Sequence, residues 1–356
     1  MYSLIMAGKK KELVDFFIDL LESTDFEKSR LSLPRKPIVI FCGGQSAACR
    51  SIKFEEVPNT PFSSIRECLK ALHLQYYPNY LFFMPEDIKG WQNGAVFNDL
   101  LEFEMAFSHL SSVITIITET PGALAELGVF ASDKLNKNKL LVISNDSFAD
   151  APSFINKGIN EYVRKNNNEA VKFFNIDSFR MNVNGGTAPL TLTQQTARDI
   201  YDEVEEFIKE KVKQKSSAFS IKNKTHLFAL LIDAFQIFRV ISKDELFDLA
   251  DYVNLHFKDD VLNRSDIRQF LMLMRELEFV KFITAGSKKL FYIADMTALP
   301  KLAFIYKKKK TFDRNREMLD IMKFYEADAE SNRINRSKLD AIKTIFGPQS
   351  DEGSFW

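Results

Sequence analysis

The chain has 356 residues, of which 46% are hydrophobic and 27% charged, a composition typical of a globular protein with room for two domains. Acidic and basic side chains balance at 48 each, which excludes a strongly basic or acidic chain, so any basic surface must be local. The three cysteines form no C-x-x-C pair and the four histidines are scattered, which argues against a disulfide framework, a zinc finger or another metal site.

The first residues, MYSLIMAGKKKELVDFFIDLLEST, predict an amphipathic helical extension over 1–36 rather than a signal peptide, because the apolar part is short and charges follow it. No apolar run approaches the roughly 20 residues that a membrane-spanning helix needs. We therefore expect a cytoplasmic protein that makes no membrane contact.

Apolar runs alternate with helical patterns over the next part of the chain. Runs at 37–44, 80–87, 112–118 and 139–146, with a weaker one at 170–176, are apolar throughout, as expected of strands buried on both faces. Helical patterns occupy 63–73, 97–110 (beginning at Asn98) and 123–135. This order predicts an α/β domain over 37–181 with a doubly wound parallel sheet.

The second half of the chain has a different character. Residues 182–218 are predicted to form a Gly- and Thr-rich linker and a polar helix over 196–215. Three helices at 224–240, 241–255 and 263–280, the second with the capping-box spacing of Ser242 and Glu245, precede a hairpin at 281–294. This is the order of a winged helix-turn-helix domain over 219–300, and a basic, charged helical tail follows over 301–356.

In an open parallel sheet, ligands bind at the carboxyl ends of the strands. The residues just after the predicted strands are Gly43, Gly44 and Gln45; Glu86 and Asp87; Glu119, Pro121 and Gly122; and Asn145 and Asp146. Pro121 suits a first helical turn, and Gly122 lets a ligand approach free backbone N–H groups that favour an anion such as a phosphate.

Three glutamates suggest a reaction at this edge. Glu119 ends a strand, Glu126 lies in the following helix, and Glu104 projects from the preceding one. Breaking an N-glycosidic bond builds positive charge on the sugar; one carboxylate can attack C1′ while another positions water or moves a proton. Taken alone, these residues are more typical of turn and capping chemistry than of catalysis, and Cys42 is more typical of a core cysteine than of a nucleophile.

The motifs IVIFCGG, FFMPEDI and LLEFEMAFSHLSSVITIITETPGALAELGVFAS, in this order, together with DAPSFINKGINEYVRKN, resemble the nucleoside 2-deoxyribosyltransferase-like effectors of bacterial retrons. The resemblance covers most of the chain, except the first 36 residues, the linker and the last 30 or so. It implies a deoxyribosyltransferase-like catalytic domain followed by a winged helix. It also implies cleavage of an N-glycosidic bond in NAD⁺ or a related nucleotide, which would be substrate rather than cofactor.

The same resemblance implies roles for single residues and for partners. Glu126 matches the nucleophilic glutamate, Glu104 and Glu119 match further glutamates, and the two turns match at Gly43–Gly44 and Pro85–Asp87. Ala123 replaces the family's serine, and Gln45 stands where some relatives have an acid. The implied role is a toxin in an anti-phage system, held inactive by a retron reverse transcriptase and its multicopy single-stranded DNA; a homo-oligomer within that complex is left open.

The C-terminal region carries candidate phosphate contacts. Arg268 and Arg275 share one face of the third helix with Met272. The predicted hairpin and tail add further cations, namely Lys288, Lys289, Lys307, Lys308, Lys309 and Lys310. Glu276 and Glu278 lie nearby, so nucleic acid or protein could bind this region. Two other interpretations stay open: a nucleotide-binding sensor without catalysis, and a winged-helix regulator that binds nucleic acid.

Overall fold

The computed structural model describes residues 13–34, 36–46, 50–90, 96–176, 190–213, 216–296, 299–307, 313–330 and 332–347. The strands within these ranges are β1 (Arg30–Ser32), β2 (Ile38–Cys42), β3 (Leu81–Phe83), β4 (Val113–Ile117), β5 (Leu140–Asn145), β6 (Val171–Phe174), β7 (Ser217–Ala218), β8 (Ile241–Ser242), β9 (Val280–Ala285), β10 (Lys288–Ile293) and β11 (Lys301–Ala303). The helices are α1 (Leu13–Ser23), α2 (Ile65–Tyr76), α3 (Leu100–Leu110), α4 (Pro121–Ser132), α5 (Glu161–Asn166), α6 (Gln194–Lys213), α7 (Lys224–Phe238), α8 (Lys243–Phe257), α9 (Arg264–Glu276), α10 (Arg314–Asp328) and α11 (Arg333–Phe346). In the part of the chain so described, no helix is both long and apolar enough to cross a membrane.

Five of these strands form one parallel sheet in the order β3-β2-β4-β5-β6. Every residue of β2, β4 and β5 is buried, as their unbroken apolar sequences require. The five runs expected to form strands all do so, which confirms the predicted α/β class.

The path of the chain through this sheet creates a crevice. From β2 the chain moves outward to β3 at one edge and then returns to β4 on the other side of β2. Loops leaving the carboxyl ends of β2 and β4 therefore diverge, and the space between them is where open parallel sheets bind ligands.

The helices around this sheet begin at side-chain caps. Ser64 accepts a hydrogen bond from the Glu67 N–H at the start of α2, and Thr120 does the same for Ala123 at the start of α4. The cap of α3 is Asp99, whose carboxylate accepts from Glu102 N–H. The expected start at Asn98 is therefore wrong by one residue; Asn98 instead donates to the Glu102 side chain.

The described chain falls into two compact units, and their limits differ from the division expected from the sequence. One unit runs from Leu33 to Lys215 and so contains α6 together with the parallel sheet. The other contains the described residues up to Ser32, Ser216–Met296 and those from Pro300 onward. In it, β1 pairs with β11 and with β7, so the expected N-terminal extension and C-terminal tail are parts of this unit.

Within this second unit, α7, α8 and α9 are followed by the β9–β10 hairpin, and β8 completes a sheet of order β8-β10-β9. The capping box of Ser242 and Glu245 is confirmed at the start of α8. The hairpin turns at Gly286 and Ser287, with Ala285 opposite Lys288. Gly286 has φ of +63°, a conformation that favours glycine.

An ion pair holds α11 to the rest of this unit. Lys338 is fully buried, its ammonium pairs with the Glu245 carboxylate, and Tyr325 Oη lies 3.5 Å away. Glu245 also accepts hydrogen bonds from Ser242. Burial lowers the pKa of Lys338, whereas the Lys338 charge and the Ser242 bonds outweigh burial and lower the pKa of Glu245.

Replacement of Lys338 by methionine is expected to destabilise the protein by about 2 kcal/mol, because it leaves the half-buried Glu245 carboxylate without its cation. Urea denaturation followed by circular dichroism measures the change. Lys343→Met, on the exposed side of the same helix, is the matched control and should cost about 0.5 kcal/mol or less. Equal losses in the two variants would show that α11 does not depend on this ion pair.

Candidate active site

The end of β4 is joined to two other turns through the Glu119 side chain. One carboxylate oxygen accepts a hydrogen bond of 2.7 Å from Gly44 N–H and a longer one of 3.5 Å from Arg66 N–H. The other oxygen accepts from Ile65 N–H at 2.9 Å. Ile65 and Arg66 open α2, so Glu119 caps that helix with a charge that complements its dipole.

The two glycines after β2 are required by this arrangement. A Cβ on Gly43 would lie 2.8 Å from a Glu119 carboxylate oxygen, and one on Gly44 would lie 2.7 Å from the Ser64 Cβ. Glycine at both positions therefore allows the carboxylate of Glu119 to reach the backbone. At Gly122, by contrast, the nearest atom to an added Cβ would be 3.8 Å away, so the start of α4 is open.

These contacts correct the catalytic role expected for Glu119. Its side chain is buried and both oxygens accept backbone hydrogen bonds, so the carboxylate is not free to attack a sugar or move a proton. Burial raises the pKa of Glu119, while the three N–H donors act in the opposite direction by stabilising the ionised form. We therefore regard Glu119 as a positioning residue.

Glu104 and Glu126 form a second group of carboxylates at the same end of the sheet. Burial, the charge of Glu126 and that of Glu86 raise the pKa of Glu104 to about 8. Burial, followed by the charge of Glu86, raises the pKa of Glu126 to about 7. Both carboxyl groups thus have pKa values near neutral pH, where each can gain or lose a proton, as acid–base chemistry requires.

The surroundings of Glu126 leave it available for chemistry. Its Oε2 is buried and makes no hydrogen bond to any described residue. The Cys42 thiol lies close enough to donate a hydrogen bond to this carboxylate. Burial, and then the charges of Glu126 and Glu104, raise the pKa of Cys42, so the thiol stays neutral and Cys42 is not a nucleophile.

Arg66 is the functional residue that sequence reasoning missed. Its guanidinium donates to the backbone carbonyls of Gly44 at 2.8 Å and Phe41 at 3.2 Å. It also forms a two-bond ion pair with Glu86, at 2.8 and 3.1 Å. A cation in the first turn of α2, where the helix dipole disfavours it, was the available signal. Its charge opposes the rise in pKa of Glu104 and of Glu126.

A polar cleft of about 520 Å³ opens beside these groups. Four of the seven residues expected to bind substrate line it. Among the described residues the lining consists of Gly43, Gln45, Ser46, Ser63, Arg66, Met84, Glu86, Asp87 and Thr120. Glu104, Glu119 and Glu126 are not part of the lining. Glu104 and Glu126 interact with the cleft through the charges of Arg66 and Glu86.

Pro121 and Gly122 are exposed in the first turn of α4, next to Thr120 of the cleft. Asp87 is paired with Lys70 of α2 at 3.0 Å.

Among the described residues, no group of three or more histidine, cysteine, aspartate or glutamate side chains could hold a metal ion.

The basic residues of the other unit lie on exposed surface around two aromatic rings. The Arg275 guanidinium is 5.2 Å and the Lys289 ammonium 4.4 Å from the centre of the Phe282 ring. Arg268 is exposed and lies 5.8 Å from the Phe247 ring, which Arg264 also approaches.

The other predicted phosphate contacts are placed differently. Met272, expected on the same face as the arginines, is buried. Lys288 lies 4.0 Å from Asp244, and Lys307 donates to the Glu22 carbonyl. Lys308, Lys309 and Lys310 lie outside the described residues.

Glu119→Gln should lower the free energy of unfolding by about 1–3 kcal/mol, because the amide nitrogen cannot accept the hydrogen bonds that one carboxylate oxygen now receives. Glu126→Gln is the contrasting variant: it removes a buried carboxylate with an unpaired oxygen, so stability should be unchanged or higher. Thermal and urea denaturation of the two variants measure the difference. Equal stability of Glu119→Gln and the wild-type protein would refute the capping role.

Known proteins resemble this chain over both halves. Residues 63–282 match the model of the STM3845 retron effector protein family, which is more than half of the chain. The "Retron Ec86 putative ribosyltransferase/DNA-binding protein" of Escherichia coli is 32% identical over 96 residues, which cover 27% of this chain and 29% of that protein. The corresponding protein of retron Ec73, also from Escherichia coli, is 29% identical over 143 residues, which cover 39% of this chain and 42% of that protein. The matches thus span less than half the length of these two relatives. The family match, by contrast, spans more than half of this chain. The protein therefore belongs to the STM3845 family of retron effectors.

Proposed function

We propose that this retron effector is a nucleotide N-glycosidase, with Glu126 as nucleophile and Glu104 as its acid–base partner. The observation that carries the proposal is the pair of interacting carboxylates with pKa values of about 7 and 8 at the carboxyl end of the parallel sheet. Glycoside cleavage requires two neighbouring carboxyl groups, one that attacks the sugar and one that transfers a proton. The proposed fold of this unit is a doubly wound, deoxyribosyltransferase-like domain.

In this mechanism the ionised Glu126 attacks C1′ of the sugar, and the electrons of the N-glycosidic bond leave with the base. Nicotinamide leaves from NAD⁺ as a neutral molecule, whereas a purine or pyrimidine must receive a proton, which the protonated Glu104 can supply. Water then attacks C1′ of the sugar–Glu126 ester, which restores the Glu126 carboxylate and releases the sugar. The proton of that water passes to Glu104 where Glu104 has already protonated the base, and to solvent where nicotinamide has left. The proposed substrate is NAD⁺ or a related nucleotide, and no cofactor takes part.

The proposal extends to the biological role. The two Escherichia coli relatives are named as ribosyltransferase/DNA-binding proteins of retrons, which supports glycosyl transfer chemistry in this family. We propose that the protein is a toxin of a retron anti-phage system in the cytoplasm. Its proposed partners are the retron reverse transcriptase and its multicopy single-stranded DNA, which hold the enzyme inactive.

A second proposed activity, nucleic-acid contact, belongs to the unit that contains α9. Helices α7–α9 followed by the β9–β10 hairpin have the order of a winged helix, which is the fold we propose for them. Arg268, Arg275 and Lys289 are exposed there, on α9 and on the hairpin. Lysine and arginine side chains of this kind contact phosphates without reading sequence.

Glu126→Gln is expected to lower the rate of base release from NAD⁺ at least 100-fold, because an amide cannot form the ester with C1′. Chromatography of nicotinamide released by the purified protein measures the rate. Glu102→Gln, which removes a carboxylate from the same helix as Glu104 but outside the pair, should retain activity. Retention of activity by Glu126→Gln would refute the assignment.

The pH dependence of the wild-type enzyme completes this test. Glu126 must be ionised, so kcat/KM for NAD⁺ should rise through pH of about 7 and then level off. With a purine nucleotide as substrate, Glu104 must also be protonated, so the rate should fall above pH of about 8. Because the two groups interact, these values belong to the pair. A profile that is flat from pH 5 to pH 9 with both substrates would contradict the proposal.

Substitution of Arg268, Arg275 and Lys289 together by alanine should weaken binding to a single-stranded DNA oligonucleotide and flatten its salt dependence. Each lost phosphate contact reduces the slope of log K against log salt concentration by about 0.7, so the triple variant should lose about two units. Fluorescence anisotropy at several salt concentrations measures the slope. Lys343→Met serves as the charge control, and an unchanged slope in the triple variant would exclude this surface as the DNA contact.

A further inference from the structure

The turn after β3 is held to α2 by two ion pairs, side by side. Arg66 binds both oxygens of Glu86, and Lys70, one helical turn further along, binds Asp87 at 3.0 Å. The two acids are adjacent in sequence, and both line the cleft. Two cations one turn apart on a helix are close neighbours in space. Arg66 lines the cleft, and Lys70 lies just behind Asp87 of the lining, so movement of the two acids would open both cations to a pair of neighbouring negative groups.

The cations and acids of these pairs differ in burial. The Arg66 side chain is 3% exposed and is held by the carbonyls of Phe41 and Gly44, whereas Glu86 is 60% exposed. Lys70 is 22% exposed and Asp87 47%. Arg66 is thus a fixed part of the site and Lys70 is less exposed than its partner, while the two carboxylates can move into solvent.

We propose that Arg66 and Lys70 form a subsite for the diphosphate of a nucleotide, and that Glu86 and Asp87 occupy it when substrate is absent. This inference rests on the proposed nucleotide chemistry and narrows it to substrates that contain a diphosphate, such as dinucleotides. Glu86 and Asp87, expected from the sequence to bind substrate, instead compete with it.

The chemistry of the residues fits a diphosphate. The planar guanidinium of Arg66 binds phosphate and carboxylate with the same two-bond geometry, so a phosphate can replace Glu86 directly. The exchange leaves Arg66 paired with an anion throughout, which avoids burial of an uncompensated charge. Ser46, Ser63 and Thr120 add hydroxyl groups to the lining, and about 520 Å³ is within the range of small-molecule sites.

Competition by the two acids has a consequence for specificity. A nucleoside brings no anion that could displace them, so it gains nothing from Arg66 and Lys70. A nucleoside monophosphate replaces one carboxylate, and a diphosphate replaces both. The subsite therefore selects for the diphosphate before any contact with the base.

Binding of inorganic pyrophosphate to the full-length protein, measured by isothermal titration calorimetry, tests this subsite without catalysis. Glu86→Gln is expected to tighten pyrophosphate binding about tenfold, since it removes a charged competitor from Arg66. Glu55→Gln removes the same charge from an exposed position outside the cleft and should change the Kd less than about twofold. Absence of pyrophosphate binding in the wild-type protein, or equal Kd values for Glu86→Gln and Glu55→Gln, would overturn the proposal.

Two further variants separate the cations. Lys70→Met should weaken pyrophosphate about tenfold but leave orthophosphate within about twofold, because one phosphate needs Arg66 alone. Arg66→Lys should weaken both ligands, since a point charge replaces the planar fork. If Arg66→Lys fails to fold, Glu86→Gln and Lys70→Met still decide the question. Equal effects of Lys70→Met on the two anions would refute the two-cation subsite.

Failure of this inference can be told apart from failure of the proposed function. If the enzyme releases base from nucleosides as fast as from dinucleotides and pyrophosphate does not bind, the N-glycosidase stands and the subsite is wrong. If Glu86→Gln tightens pyrophosphate but no nucleotide loses its base, the subsite stands and the proposed catalysis is wrong.

Discussion

The site depends on the hydrogen bonds that the Glu119 carboxylate accepts from backbone N–H groups of Gly44, Ile65 and Arg66. A single charged group thereby links the end of β4 to the turn after β2 and to the start of α2. Its oxygens accept hydrogen bonds from the Ile65 and Arg66 N–H groups, which have no partner within α2. The carboxylate also lies so close to Gly43 that a side chain there would collide with it. The positions of the cleft and of Arg66 follow from this link.

Arg66 connects this arrangement to Glu104 and Glu126, the two carboxyl groups of the proposed reaction. Its positive charge limits the rise in their pKa values that burial and the charge of Glu86 produce. The balance of these effects places the pKa values of both groups near neutral pH. Because Glu86 interacts with Arg66, Glu104 and Glu126, a group that takes its place would also change the pKa values of the two glutamates.

In the unit that contains α7–α11, segments from near both ends of the chain pair with each other and with the middle of the chain. The described N-terminal strand β1 lies between β7 and β11, and α11 is tied to α8 through Lys338 and Glu245. Basic side chains on α9 and the hairpin lie over aromatic rings, which limits their motion while leaving their charges exposed. This unit therefore presents exposed positive charge whose position is set by the underlying rings.

The sequence by itself determined the five parallel strands, the helices between them and the Ser242 cap, because uninterrupted apolar runs and capping residues are local signals. It also singled out Glu126, in the helix that follows β4, and Glu104, in the helix that precedes it. Only the tertiary structure decided that Glu119 faces the backbone. The pairing of Arg66 with Glu86, 20 residues away, was decided in the same way. The direction of a side chain and the identity of its partner depend on contacts between segments that are distant in sequence. Hydrophobic periodicity is a local pattern and does not predict such contacts.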